Sequence, residues 1–225
     1  MRLLVTGGNG FIGRRVCERA VADGHDVTSV ARTGPPAPSH CGPWTADVEW
    51  IAADVFAPHE WRGALDGVDC VVHSIGIIDE RPDTGVTFER VNGDSALVAA
   101  LEAERAGAER FVYVSSAVKP PLVRDAYLTA RRRAERAVTH LELDVAIPRF
   151  GPVYGPDQPH FSTMTNRLVA AVGRFDAVAG QFGEARPLSV DRAAAATYRL
   201  ATAADPPTDP VSGDELVTVA DESAA

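Results

Sequence analysis

Directly after the apolar run Leu3-Leu4-Val5 the chain reads Thr6-Gly7-Gly8-Asn9-Gly10-Phe11-Ile12-Gly13, and Ile12, Val16, Ala20 and Val21 then follow at helical spacing. A strand that passes through clustered glycines straight into a helix leaves few folds open. Glycines permit a tight turn and close approach of the backbone to a ligand, while the helix start offers free N–H groups and the positive end of its dipole. Such a turn suits an anion, above all the pyrophosphate of a dinucleotide. Two registers fit, Gly8-x-Gly10-x-x-Gly13 and Gly7-x-x-Gly10-x-x-Gly13. The cofactor-binding candidates here are Gly7, Gly10, Phe11, Ile12 and Gly13.

The rest of the chain keeps the same alternation. Strand-like runs at Val27 to Val30, Trp50-Ile51-Ala52, Cys70-Val71-Val72 and Phe111 to Val114 are separated by helical patterns at 58–65 and 88–106. Alternating strands and helices predict an α/β fold of Rossmann type, a doubly wound parallel sheet covered on both faces. A helix over 124–141, a strand at Asp144 to Ile147 and a helix over 191–203 capped by Asp191 follow, with a short strand at best in the tail. Residues 33–47, rich in Gly and Pro, read as a surface loop. The irregular stretch 151–187 reads as a small substrate lobe inserted over the sheet's carboxyl edge. One domain spanning 1–225 is the expectation, because 225 residues bury a sizeable core but fall short of two full domains.

An NAD site usually places an acid at the end of the second strand, roughly 20 residues beyond the glycines, to hold the ribose 2′-hydroxyl. Arg32 stands there instead, and Asp26 lies at the wrong end of the strand. Arg14 and Arg15 occupy the first helical turn, where the dipole disfavours cations unless an anion is close. All three favour NADP over NAD.

With these residues in view, the chain resembles the extended and atypical short-chain dehydrogenase/reductase superfamily, in particular its NAD(P)-dependent epimerase/dehydratase-like group and small NAD(P)H-binding relatives. The resemblance spans most of residues 1–200. It rests on Thr6-Gly7-x-x-Gly10-x-x-Gly13, Asp54-Val55, Gly67 to His73, Val91-Asn92, Arg110 to Ser116, Pro148 to Pro156 and Ser189-Val190-Asp191. It implies that Asp54 and Val55 contact the adenine and that Ser74 to Gly76 line the cofactor's middle. It also implies a Tyr-x-x-x-Lys pair on a helix, with a hydroxyl at the preceding strand end. The lysine eases proton loss from the phenol and bonds the nicotinamide ribose, and the tyrosine exchanges a proton with substrate.

Here the sequence is Tyr127-Leu128-Thr129-Ala130-Arg131, so arginine replaces the lysine, while Ser116 occupies the hydroxyl position. Lys119 is the only lysine in the chain. Arginine keeps the charge but releases no proton. Ser116, Tyr127 and Arg131 are the candidate catalytic residues. Asn92 reads as structural or water-holding, and His73 as a satisfied core imidazole. Arg132 and Arg133 read as solvated, and Trp44, Trp50 and Trp61 as packing.

Three unpaired cysteines, Cys17, Cys41 and Cys70, and six histidines without ligand spacing predict packing residues and no metal site. A net charge of -9 argues against nucleic acid and anionic lipid as partners. With no membrane-spanning run and no signal-peptide layout after Met1, the expected location is the cytoplasm, as a monomer or homodimer. The resulting expectation is an NADP(H)-dependent oxidoreductase acting on a small carbonyl or alcohol. Its rival is a non-catalytic NADPH-binding sensor or a structural subunit similar to the respiratory complex I accessory family.

Overall fold

The computed structural model describes residues 1–222, so residues 223–225 of the expected domain lie outside the described part. β1 (Arg2–Thr6) leads through the glycine turn into α1 (Gly13–Ala22), followed by β2 (Asp26–Ala31), β3 (Val48–Ala52) and β4 (Cys70–His73). Next come α2 (Ser95–Ala106), β5 (Arg110–Tyr113), β6 (Ser115–Ser116), α3 (Ala126–Val138), β7 (Asp144–Ala146), β8 (Pro148–Phe150) and β9 (Val153–Tyr154). The chain continues with α4 (Thr163–Gly173), α5 (Asp176–Ala179), β10 (Leu188–Ser189), α6 (Val190–Thr202), β11 (Val211–Ser212) and α7 (Gly213–Asp221).

Six strands form one parallel sheet in the order β3-β2-β1-β4-β5-β7. The two-residue period of the strands divides the core in two. Leu3, Val5, Val72 and Val112 face α1 and α6, against Val16, Cys17, Ala20 and Leu200. Leu4, Val71, Phe111 and Tyr113 face α2 and α3, where Ala96, Ala99, Ala100, Ala103 and Ala134 let the helices lie close to the sheet. Both faces are covered, as parallel sheets require. The strand order reverses between β1 and β4, and the crevice beyond their carboxyl ends is where such sheets take nucleotides.

Several elements depart from the sequence reading. The helix expected over 88–106 opens with a π-helical turn, Glu89–Asp94, before α2. That wider turn carries Asn92 inward, where its side chain bonds both the N–H and the carbonyl of Ile77. The helix expected over 58–65 is two 3-10 pieces, Pro58–Glu60 and Arg62–Leu65, parted by Trp61, which plunges into the core. The loop at 33–47 contains the 3-10 turns Pro38–His40 and Pro43–Asp47. The cap of α6 is Ser189, whose Oγ accepts from the Arg192 N–H, and not Asp191. The tail holds α7 as well as β11: Glu215 accepts from the Ser212 N–H, closing the start of the helix.

Residues 151–187 are more ordered than an irregular insertion. β9 pairs in parallel with β10, α4 packs on both, and the chain returns through α5 to α6. A third small sheet, β11-β8-β6, forms where Pro148 takes the chain away from β7.

Candidate functional site

The glycine turn lies at the carboxyl end of β1. Gly7 has φ +81°, a conformation that glycine adopts without strain, and its N–H donates to the Val30 carbonyl at 2.8 Å. The Gly10 N–H turns back to the Gly7 carbonyl at 2.9 Å. A Cβ on Gly13 would meet the Ser74 Oγ at 2.6 Å and the Gly7 carbonyl oxygen closer still, so the turn and α1 fit only without a side chain there. The N–H groups of Phe11, Ile12 and Gly13 have no acceptor among the described residues, and α1 carries no side-chain N-cap. Three open amides at a helix start, above a turn that admits no Cβ, fit a pyrophosphate.

Across the crevice, the Ser74 hydroxyl reaches the Thr6 and Gly7 carbonyls at 3.1 and 3.2 Å, tying the end of β4 to that of β1. Beneath it His73 is fully buried between Thr6 Oγ1 at 2.8 Å and Ser95 Oγ at 3.0 Å. Burial first, and the Arg131 charge second, push its pKa down to about 3, so it is a neutral core imidazole.

At the adenine end, Arg32 stands exposed just past β2, without a hydrogen-bond or ion-pair partner among the described residues. No carboxylate occurs between Ala31 and Ala46. Asp54 is exposed and accepts from the Phe56 N–H at 3.0 Å, while the Val55 side chain is buried in the core. The cations of the first helical turn are answered within the chain. Arg14 is buried and pairs with Asp157 at 3.2 Å, and Arg15 pairs with Asp191 at 3.4 Å and donates to the Phe11 carbonyl. Their presence therefore needs no cofactor phosphate, and of the three arginines Arg32 alone is left to read one. Asp157 also lies 3.5 Å from His40, so the segment after β9 straps the turn to the loop after β2. No local signal could have revealed this link, since Arg14 and Asp157 are 143 residues apart.

At the other end of the crevice α3 presents Tyr127 and Arg131 one turn apart, both buried. The Tyr127 ring meets Phe88 edge to face at 5.5 Å, and its hydroxyl is set toward the Arg131 guanidinium. The Arg131 guanidinium carbon lies 5.0 Å from the centre of that ring, and Nη1 donates to the Val114 carbonyl at 3.0 Å. Its Nε is buried without a partner among the described residues. A Cβ on Gly76 would come within 2.6 Å of Arg131 Nη2 and 3.4 Å of Asn92 Oδ1, so the bare backbone after β4 makes room for the guanidinium. Burial alone would pull the Arg131 pKa down, but the oxygens of Tyr127 and Tyr113 more than offset it, and the charge is held.

Ser116 sits in β6, and its hydroxyl donates to the Val118 carbonyl at 2.7 Å or the Phe150 carbonyl at 3.2 Å. Beside it lies a network that the sequence reading missed. Glu135, buried on α3, accepts from Ser115 Oγ, Arg132 Nη1 and Arg149 Nη2, each at 2.6 Å, and Arg132 Nη2 donates to the Ser116 carbonyl at 2.9 Å. Arg132 is thus a partner of the Ser116 strand and not merely solvated, whereas Arg133 is exposed, as expected, in a surface pair with Asp94. Lys119 points into its own loop, donating to the Val123 carbonyl at 3.0 Å with Asp125 at 3.4 Å. Among the described residues no cluster of three His, Cys, Asp or Glu could hold a metal ion, and no helix is long and apolar enough to cross a membrane.

A family model described as the NAD dependent epimerase/dehydratase family matches residues 3–189. The chain is 29% identical to MIOREX complex component 2 of Saccharomyces cerevisiae, over 68% of this chain and 70% of that protein. It is 33% identical to a ceramide reductase of Caulobacter vibrioides, over 68% of this chain and 46% of the relative, so it spans about half of that protein's length. Among solved structures, UDP-glucose 4-epimerase of Thermus thermophilus in complex with NAD gives a TM-score of 0.69 at 19% identity, covering 98% of this chain and 81% of that one. A likeness at that identity speaks for the shared fold.

Proposed function

The chain belongs to the NAD dependent epimerase/dehydratase family, and from that premise we propose that it is a cytoplasmic NADP(H)-dependent oxidoreductase acting on a small or hydrophobic carbonyl compound or the matching alcohol. The observation that carries this reading is the buried Tyr127–Arg131 pair set against Gly76. Phe11, Ile12 and Gly13 would hold the pyrophosphate, Asp54 and the main chain of Val55 the adenine, and Arg32 the 2′-phosphate. When bound, the nicotinamide supplies or accepts a hydride.

The residues of the chain manage the proton and the charge. Tyr127 gives its hydroxyl proton to the substrate oxygen in reduction and takes it back in oxidation. Arg131, anchored on the Val114 carbonyl, stabilises the negative charge left on the phenol oxygen. A guanidinium does not release its proton, so Tyr127 is recharged from solvent at its own hydroxyl. Ser116 orients the substrate oxygen, as an acceptor in its present setting or as a donor after its hydroxyl turns from the Val118 carbonyl. The similarity to a ceramide reductase supports the hydrophobic end of the substrate range.

A second reading, a non-catalytic NADPH-binding subunit, is supported by the missing lysine, the main-chain bonds of Ser116 and the similarity to a named complex component. Turnover on a carbonyl panel separates the two. Under the first reading Tyr127→Phe lowers turnover by roughly a hundredfold or more without weakening cofactor binding, and Arg131→Lys preserves or raises it. Under the second, no carbonyl is reduced by any variant while NADPH stays tightly bound.

A further inference from the structure

α4 is apolar on two opposite faces. Asn166 and Gly173 lie on the face turned to the protein: Asn166 bonds the backbone of Gly155 through both its oxygen and its nitrogen, and Gly173 packs on the Tyr154 ring. The 3.6-residue period puts Met164, Leu168 and Ala171 on the opposite face, and Phe175, Val178 and Phe182, beyond the end of α4, are likewise exposed. The five large apolar side chains among these are between 44% and 72% exposed. A helix with apolar residues on both sides is ordinarily covered on both.

The flank of the stripe is basic. Arg167 and Arg174, seven residues apart and therefore on one side of α4, are exposed and have no carboxylate partner among the described residues. Asp176, the nearest acid in sequence, is held by Arg186 and Arg192. The surface is a helix face continued by the turn into α5. Its complement is a yielding apolar phase with negative charge at its boundary, into which arginines can extend their head groups while their stems lie along the stripe.

We propose that α4 and the turn to Phe182 dock on the surface of an anionic lipid bilayer, with Met164, Leu168, Phe175 and Phe182 in the acyl boundary and Arg167 and Arg174 at the phosphates. The whole-chain charge of -9 argued against this partner. That charge is an average, however, and residues 163–175 carry two arginines and no carboxylate. Docking would set the cofactor crevice beside the membrane, because β9, on which α4 rests, leads to Gly155, where a Cβ would lie in contact with the Phe11 ring of the glycine turn.

Vesicle flotation tests this without reference to turnover, so its outcome stands apart from that of the oxidoreductase reading. The whole chain is mixed with phosphatidylcholine vesicles containing about a third phosphatidylglycerol, and with pure phosphatidylcholine vesicles. It should float with the former and about tenfold less with the latter. Leu168→Asp with Phe175→Asp should lower binding about tenfold or more while NADPH binding is retained. Arg167→Glu with Arg174→Glu should remove the preference for phosphatidylglycerol. Failure of the unmodified chain to float, or flotation unchanged by the stripe variants, overturns the proposal. So does a dimer in sedimentation velocity that the same variants dissolve, which would make a second copy the occupant.

Discussion

His73 joins β1, β4 and α2 directly beneath the crevice, and its replacement tests how that junction is built. Ser95 Oγ donates to the Val91 carbonyl at 2.6 Å and so accepts from His73 Nε2, leaving Nδ1 to accept from the Thr6 hydroxyl. One neutral tautomer thus satisfies every group, and a proton on Nδ1 would place an unpaired charge in a sealed core and force the Thr6 hydroxyl to turn from donor to acceptor. The folded pKa near 3 lies below the ordinary 6.5. The unfolded chain therefore binds the proton more readily, and the contribution is complete above about pH 6.5 and is lost as pH falls toward 3. At about 1.4 kcal/mol per pH unit, roughly 2 kcal/mol is gone by pH 5. Urea unfolding followed through the fluorescence of buried Trp61 reads this. His73→Gln should be less stable at pH 7 yet lose about 2 kcal/mol less than the unmodified chain between pH 7 and pH 5. Equal losses in the two proteins would refute the buried neutral imidazole.

Arg32→Ala should weaken NADPH about tenfold to a hundredfold in a fluorescence titration and leave NADH unchanged, since a charge-assisted contact to phosphate is worth roughly 1.5–3 kcal/mol. Tighter NADH than NADPH binding by the unmodified chain would remove that role. Gly13→Ala places a Cβ against the Gly7 carbonyl and the Ser74 hydroxyl, and calorimetry should find both cofactors bound at least about tenfold more weakly. Glu135→Ala strands Arg132 and Arg149 around a buried site, for an expected loss of about 3 kcal/mol in denaturant unfolding.

The parts of the fold that were legible in the sequence are those whose cause is local. The strands at the sheet centre are continuous apolar runs, and α1, α2, α3 and α6 announce themselves by period and composition. The glycine turn was legible because a tight backbone path excludes side chains wherever it occurs. Features set by distant partners were not. Nothing near Phe88 signals the π-helical turn, which is needed because Asn92 must reach Ile77. α7 did leave a local mark, Ser212 followed by Glu215 three residues later, and the reading passed over it. Arg14, Arg132 and Arg186 looked alike in sequence, as arginines do in a chain with a single lysine. The structure buries the first against Asp157, binds the second to Glu135 and the Ser116 carbonyl, and sets the third between Asp176 and Asp214.

That arginine-for-lysine habit bears on the site itself. A lysine at position 131 would bring a compact, freely turning ammonium to the phenol. The planar guanidinium instead spans from the Val114 carbonyl to the edge of Gly76, so its charge is fixed before any ligand arrives. The surroundings match that larger group: glycine stands at 76 where any side chain would meet it, and Tyr113 and Tyr127 both contribute to holding its charge. A relic position would have no reason to keep room for a buried cation whose desolvation opposes folding. The buried Nε without a partner among the described residues fits the same view, because an unsatisfied buried donor is destabilising unless a further group completes it.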